Sequence, residues 1–145
     1  MARMFNELLA GLNPENYFKL KEDFTCFNPD NSGKPVTVKN IKFYSLCEHH
    51  FLPFFGYVDI TYIPRDKQAG LSKLPRAVDF FSRKPQTQEK LTREIGTFLV
   101  GQLVPNSLYV KVHDVRHMCV EMRGIKSTEC STDTEYFYGV DLCSK

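Results

Sequence analysis

Four consecutive residues, Cys47-Glu48-His49-His50, put a thiol, a carboxylate and two imidazoles inside the otherwise apolar stretch FYSLCEHHFLPF. Groups of this kind are expensive to bury without partners. The Cys-x-x-His spacing lets one turn of chain present a thiolate and an imidazole to the same cation. Alone, the spacing is weak evidence, and the plainer reading is a buried free cysteine beside two surface histidines. A second segment changes the balance. In RHMCVEMRG, His117 and Cys119 stand two apart on an expected strand, so their side chains would share one face. Cys47, His50 and Cys119 would give a zinc ion three protein ligands and leave a fourth position for water. That describes a catalytic site, whereas structural sites are closed by four side chains. His49 and His117 would then stand beside the metal as candidate proton carriers. The residue types leave one rival open, a closed structural site with a second histidine as fourth ligand.

Elements must bring these two segments together. The 145 residues suit one domain, read as 1–145, with a helical segment over 1–27 and a core over 36–140. A net charge of +2 is too small to argue for nucleic acid, so an anionic ligand must be caught by a local cluster. No apolar run approaches the ~20 residues of a membrane span, and MARMFNELLAGL lacks the apolar core of a signal peptide. Five scattered cysteines do not form a secreted disulfide framework, so the expectation is a cytoplasmic protein with reduced thiols. Met4, Phe5, Leu8, Leu9 and Leu12 predict a helix, and Asn13-Pro14 starts a second. Asn28 to Pro35 is a loop. Val36 to Phe43 is a strand whose apolar phase slips between Val38 and Ile41, which predicts a bulge. Another strand spans Phe55 to Ile63. Ser72 and Thr87 are helix caps, and the second helix presents Leu91, Ile95, Phe98, Leu99 and Leu103 on one face. SLYVKVHDV is a strand, HMCVEMRG continues it extended, and the tail around TDTEYFYG adds another. This order predicts an α+β domain with a mostly antiparallel sheet.

Three stretches, FYSLCEHHFLPFFG, AGLSKLPRAVDFFSRKPQTQEKLT and HMCVEMRG, resemble GTP cyclohydrolase I in order and spacing. The resemblance runs from about Ala2 to Gly139. It implies the tunnelling (T-) fold, with two main helices on one face of the sheet. It also implies subunits joined into a ring, usually a decamer, with active sites between them. The implied reaction turns GTP and water into formate and 7,8-dihydroneopterin triphosphate. A three-ligand zinc suits it, because the ion can lower the pKa of its water to about 7. By resemblance, His117 is the acid at the ring nitrogen beside carbon 8. His49 assists proton transfers, and Ser72 helps the ribose rearrange. Guanine recognition falls to Gln88 and Glu89, since a carboxylate can accept two N–H bonds from the guanine edge. The plainer reading of Glu89 is a helix-dipole residue. The triphosphate would meet Ser72 and Lys73 at a helix start, Arg76 a turn on, Arg123 and Arg3. Taken singly, Lys73 and Arg76 read as solvated surface. Glu48 is expected to orient neighbours, not to bind metal. His113 reads as an ordinary strand residue, and Cys26, Cys130 and Cys143 have no assigned role.

Two departures stand out. The family carries more helix before and after the matched stretch, including a phosphate-binding arginine that this sequence does not contain. Glu135 falls where the family is rich in Ser and Thr, and a carboxylate near a triphosphate would repel it. These departures motivate an alternative, a catalytically impaired relative acting as a purine- or pterin-binding or regulatory module. A third reading has zinc serving assembly alone.

Overall fold

A computed structural model describes residues 1–30 and 33–139. Part of the expected Asn28 to Pro35 loop, Cys143 and the last core residue at 140 lie outside that range. The expected N-terminal helix is divided. Helix α1 covers Ala2–Leu8, and a 3-10 turn takes Ala10–Leu12. The tightening lets Gly11 dock, its N–H donating to the Arg83 carbonyl at 2.9 Å. A Cβ at Gly11 would strike the Phe80 carbonyl, so a side chain would not fit there. Helix α2, Pro14–Asp23, starts as expected. Asn13 Oδ1 accepts from the Glu15 N–H at 3.0 Å, and Pro14 occupies the first turn.

Strand β1 (Cys26–Phe27) pairs with β4 (Gln68–Ala69) as a small separate ribbon. The main sheet holds β2 (Val36–Cys47), β3 (Pro53–Ile63), β5 (Pro85–Gln86), β6 (Ser107–His117) and β7 (Thr132–Gly139). Its order is β5-β2-β3-β6-β7, antiparallel except for the short parallel β2–β5 contact. The bulge between Val38 and Ile41 is present. Asn40 takes φ 59° there and donates its N–H to Asp59 Oδ1 at 2.7 Å. Helices α3 (Lys73–Ser82) and α4 (Gln88–Leu103) cover one face. Leu74, Val78 and Phe81 of α3, with Leu91, Ile95 and Leu99 of α4, bury themselves against Phe54, Val58, Ile60, Val110 and Val112. Burying each such side chain is worth roughly 1.5–3 kcal/mol. Thr87 caps α4 by accepting from the Lys90 N–H at 3.2 Å. Among the described residues no helix is long and apolar enough to cross a membrane.

Two expectations need correction. Strand β2 runs past Phe43 to Cys47, because Tyr44 to Leu46 keep pairing with β3. The segment after His117 is not extended but forms a helical turn, α5, Met118–Glu121. The β3–β6 pairing ends at Phe54↔His117, one residue from the start of β3 at Pro53. Beyond it the chain has little partner strand left to satisfy its backbone, so it closes on itself. Met122 N–H donates to the Met118 carbonyl at 3.0 Å, and Arg116 grips Glu121 with two bonds of 2.6 and 2.8 Å.

Candidate metal centre

Cys47 is the last residue of β2, buried at the sheet end. Its N–H donates to the Leu52 carbonyl at 2.8 Å, and its own carbonyl accepts from the Phe51 N–H at 2.8 Å. These bonds close the Glu48–His50 turn, with Phe51 at φ 57°. The turn brings His50 Nδ1 back to 3.6 Å from Cys47 Sγ. Cys119 arrives from α5. One ligand atom each from Cys47, His50 and Cys119 lies within 4.8 Å of the others. A tetrahedral zinc holds sulfur at about 2.3 Å and nitrogen at about 2.0 Å, so small side-chain rotations would bring these atoms into place. Two thiols and an imidazole are the donor set zinc favours. Burial, and then the neighbouring Cys47, push the Cys119 thiol upward. A bound cation reverses that logic and deprotonates a coordinating thiol. The residues present therefore fit zinc.

The strand-face argument for His117 and Cys119 fails, since one ends a strand and the other sits in a helical turn. Both nevertheless line one cavity of about 240 Å³, shared with Cys47, His49, His50, Glu89 and Thr132. His117 stacks on Phe54 with ring centroids 4.8 Å apart and 11° between planes. Its Nε2 meets Gln88 Oε1 at 2.8 Å. Burial lowers its pKa, against the opposing charge of Glu89.

Gln88, expected to face guanine together with Glu89, lines the same cavity, and its amide is engaged by neighbouring side chains. It is only 3% exposed and bonds to His117, Thr132 and Thr134. Glu89 is exposed and lines the cavity, as does His49. Arg123 Nη1 lies 3.5 Å from His50 Nε2, beside the ligand cluster. Ser72, Lys73 and Arg76 at the start of α3, and Arg3 in α1, do not line this cavity. Ser72 sits at the helix start without a side-chain capping bond. Glu48 is exposed and offers its N–H to the Gln86 carbonyl at 3.1 Å. Glu135 lies on the other side of β7 from the cavity. Thr132 and Thr134 reach Gln88 and Tyr136 packs over Gly96 of α4, while Glu135 accepts from the Tyr109 hydroxyl at 2.7 Å. His113 is not an ordinary strand residue, because it stands between Asp114 at 2.7 Å and Asp59 at 3.1 Å. Sequence reasoning missed Gln86, whose buried amide donates to Ser45 Oγ and the Phe81 carbonyl and so ties the end of β2 to α3. It also missed Thr92, Thr132 and Thr134, for which the alternation of Thr132 and Thr134 along β7 was the one available signal.

The sheet, its two helices and this ligand set define a tunnelling-fold protein with a three-residue metal-ligand cluster. The crystal structure of an archaeosine synthase QueF-Like in the apo form superposes with a TM-score of 0.62, covering 77% of this chain and 99% of that one. At 17% identity it shares the fold alone. A model of the GTP cyclohydrolase I family matches residues 1–141. The Bifunctional protein FolKE of Lactococcus lactis is 46% identical over 142 residues, covering 96% of this chain and 39% of that protein. GTP cyclohydrolase 1 of Streptococcus agalactiae is 42% identical over 141 residues, covering 97% of this chain and 73% of that protein. GTP cyclohydrolase 1 of Latilactobacillus sakei is 45% identical over 142 residues, covering 96% and 72%. The chain belongs to the GTP cyclohydrolase I family, a family of enzymes.

Proposed function

We propose that this chain is a zinc-dependent GTP cyclohydrolase I, converting GTP and water to formate and 7,8-dihydroneopterin triphosphate. One observation carries the reading: Cys47, His50 and Cys119 meet within 4.8 Å in a cavity that also holds His117 and Glu89, although they come from separate segments. Relatives named GTP cyclohydrolase 1 support it. Zinc held by Cys47, His50 and Cys119 would supply a Lewis acid and activate water at neutral pH.

The chain's own residues do the rest. The Glu89 carboxylate accepts two N–H bonds from the guanine edge, which adenine cannot offer. His117, pinned by Phe54 and Gln88, delivers a proton to the ring nitrogen beside carbon 8. Its lowered pKa makes it a ready donor once charged. His49, exposed at the cavity, serves the proton transfers of ring opening and deformylation. At about 240 Å³ the cavity lies below the usual range of ligand pockets, so it receives the base and not the whole nucleotide. The triphosphate then lies outside, where Ser72, Lys73, Arg76 and Arg3 of a neighbouring subunit would meet it together with Arg123. This supports a homo-oligomer with shared sites, read as a decamer. The chain works as one domain, 1–145, in the cytoplasm.

The test is to incubate zinc-loaded protein with GTP and measure formate and a pterin by fluorescence after oxidation. No product from folded, zinc-replete protein would reject the reading. The non-catalytic alternative rests on the missing arginine and on Glu135, of which the latter faces away from the cavity of its own chain. Tight GTP binding without turnover would restore it.

A further inference from the structure

The Gln88 amide fits only one way round. Its Nε2 lies 3.2 Å from the Thr132 carbonyl and 3.1 Å from Thr134 Oγ1. A carbonyl oxygen only accepts, so the amide nitrogen must face it. Oε1 therefore faces His117 Nε2 at 2.8 Å and accepts from Thr132 Oγ1 at 2.6 Å. An amide oxygen has no proton to give, so the proton in the His117 contact sits on Nε2.

The threonine hydroxyls enforce the same direction. Thr92 Oγ1 donates to the Gln88 backbone carbonyl at 2.8 Å. Its proton is thus committed, and the 2.7 Å contact between Thr92 and Thr134 runs with Thr134 as donor. Thr134 Oγ1 keeps its lone pairs for the Gln88 N–H. Gln88 and Thr92 are 3% and 2% exposed, so water cannot satisfy a reversed amide. Phe54 stacks on one face of the imidazole and so holds its plane.

We propose that Thr92, Thr132 and Thr134 are positioning residues that lock the Gln88 amide and, through it, hold His117 in the tautomer with its proton on Nε2 and a bare Nδ1. The kinetic part of this inference rests on the cyclohydrolase reading; the tautomer does not.

The test combines magic-angle-spinning NMR of protein labelled with 15N-histidine and steady-state kinetics with GTP. His117 is assigned by the signal lost in His117→Gln. At about pH 8, above the ordinary histidine pKa, wild-type His117 is expected in the Nε2–H form. Thr134→Val keeps the strand-favouring shape but removes the acceptor. It should mix in the Nδ1–H form and lower kcat about tenfold, a fraction of a full acid–base contribution, with KM for GTP changed less than about twofold. Thr134→Ser should restore both. Wild-type His117 found mainly as Nδ1–H would overturn the inference. So would a Thr134→Val protein whose tautomer matches wild type, whatever its kcat. Were wild-type protein to show no turnover, the cyclohydrolase reading would fall while the spectra still decided the tautomer.

Discussion

Two glycines in α4 offer a matched pair of substitutions. Gly101 is exposed, and a Cβ there would meet nothing within 4 Å. Gly101→Ala should therefore gain about 0.5–1 kcal/mol by removing backbone entropy from the unfolded chain. Gly96 is buried beneath Tyr136 of β7, and its added Cβ would sit 2.5 Å from both Cγ and Cε1 of that ring. Carbon atoms pack at about 3.5–4.0 Å, so the ring must retreat by about 1 Å. Contact at Cγ means that the ring cannot simply swing its tip away, and its backbone is paired to Val110. Overpacking of this kind costs about 1–3 kcal/mol, and the upper half applies here. Offset by the ~1 kcal/mol propensity gain, Gly96→Ala should lose about 1–2 kcal/mol. The gap between the variants is then about 1.5–3 kcal/mol, or roughly 5–10 °C in Tm for a chain of this size. Thermal unfolding at one fixed protein concentration measures it, since assembly would otherwise shift Tm. Because β7 also carries Thr132 and Thr134, Gly96→Ala should reduce turnover as well. A Gly96→Ala protein as stable as Gly101→Ala would refute this account of how β7 sits on α4.

Other outcomes follow from the same geometry. Cys119→Ser should weaken zinc binding at least about 100-fold, beyond the loss typical of a residue that only orients a ligand; competition with a colorimetric chelator reads it, and unchanged affinity would remove Cys119 from the ligand set. Glu89→Gln should lower kcat/KM for GTP about 100-fold, the worth of hydrogen bonds to a charged group, with zinc content unchanged; equal kcat/KM would take guanine recognition elsewhere. For His113, burial opposes the charge, but the hydrogen bonds and charges of Asp114 and Asp59 outweigh it and raise the pKa. Its stabilisation should be complete below about pH 6.5 and fade as pH rises through the higher folded-state value. The urea midpoint difference between wild type and His113→Gln should thus shrink with rising pH, and a difference that grows would contradict it.

Much of the frame was legible because local chemistry dictates it. Asn13 and Thr87 cap helices with the one oxygen each has to offer, and the slip in apolar phase at Val38 marks a true bulge. The face Leu91, Ile95, Phe98, Leu99 and Leu103 is buried as its spacing required. What stayed hidden depends on pairing partners. MCVEM alternates as well for a strand as for a helical turn, and only the near end of β3 decides the matter. The meeting of Cys47, His50 and Cys119 was readable from residue type and spacing, but the contacts of Gln88 were not. An amide can face a ligand or a neighbouring side chain equally well, and two of the three threonines around it lie 44 and 46 residues away. The face of β7 that Glu135 occupies stayed hidden for a related reason, since it depends on the register with β6. Ser72, Lys73, Arg76 and Arg3 stand apart from the cavity of their own chain, a separation that no single-chain sequence pattern reveals.

The central claim is that Cys47, His50 and Cys119 hold the ion that GTP turnover requires. The most direct measurement titrates zinc into metal-stripped protein while recording bound zinc and formate release on one preparation. The account expects turnover to rise in step with zinc, level off at one ion per chain, and stay at background when Cys119→Ser is titrated alike. Formate released at full rate by metal-free protein, or turnover in Cys119→Ser that follows zinc as wild type does, would contradict it.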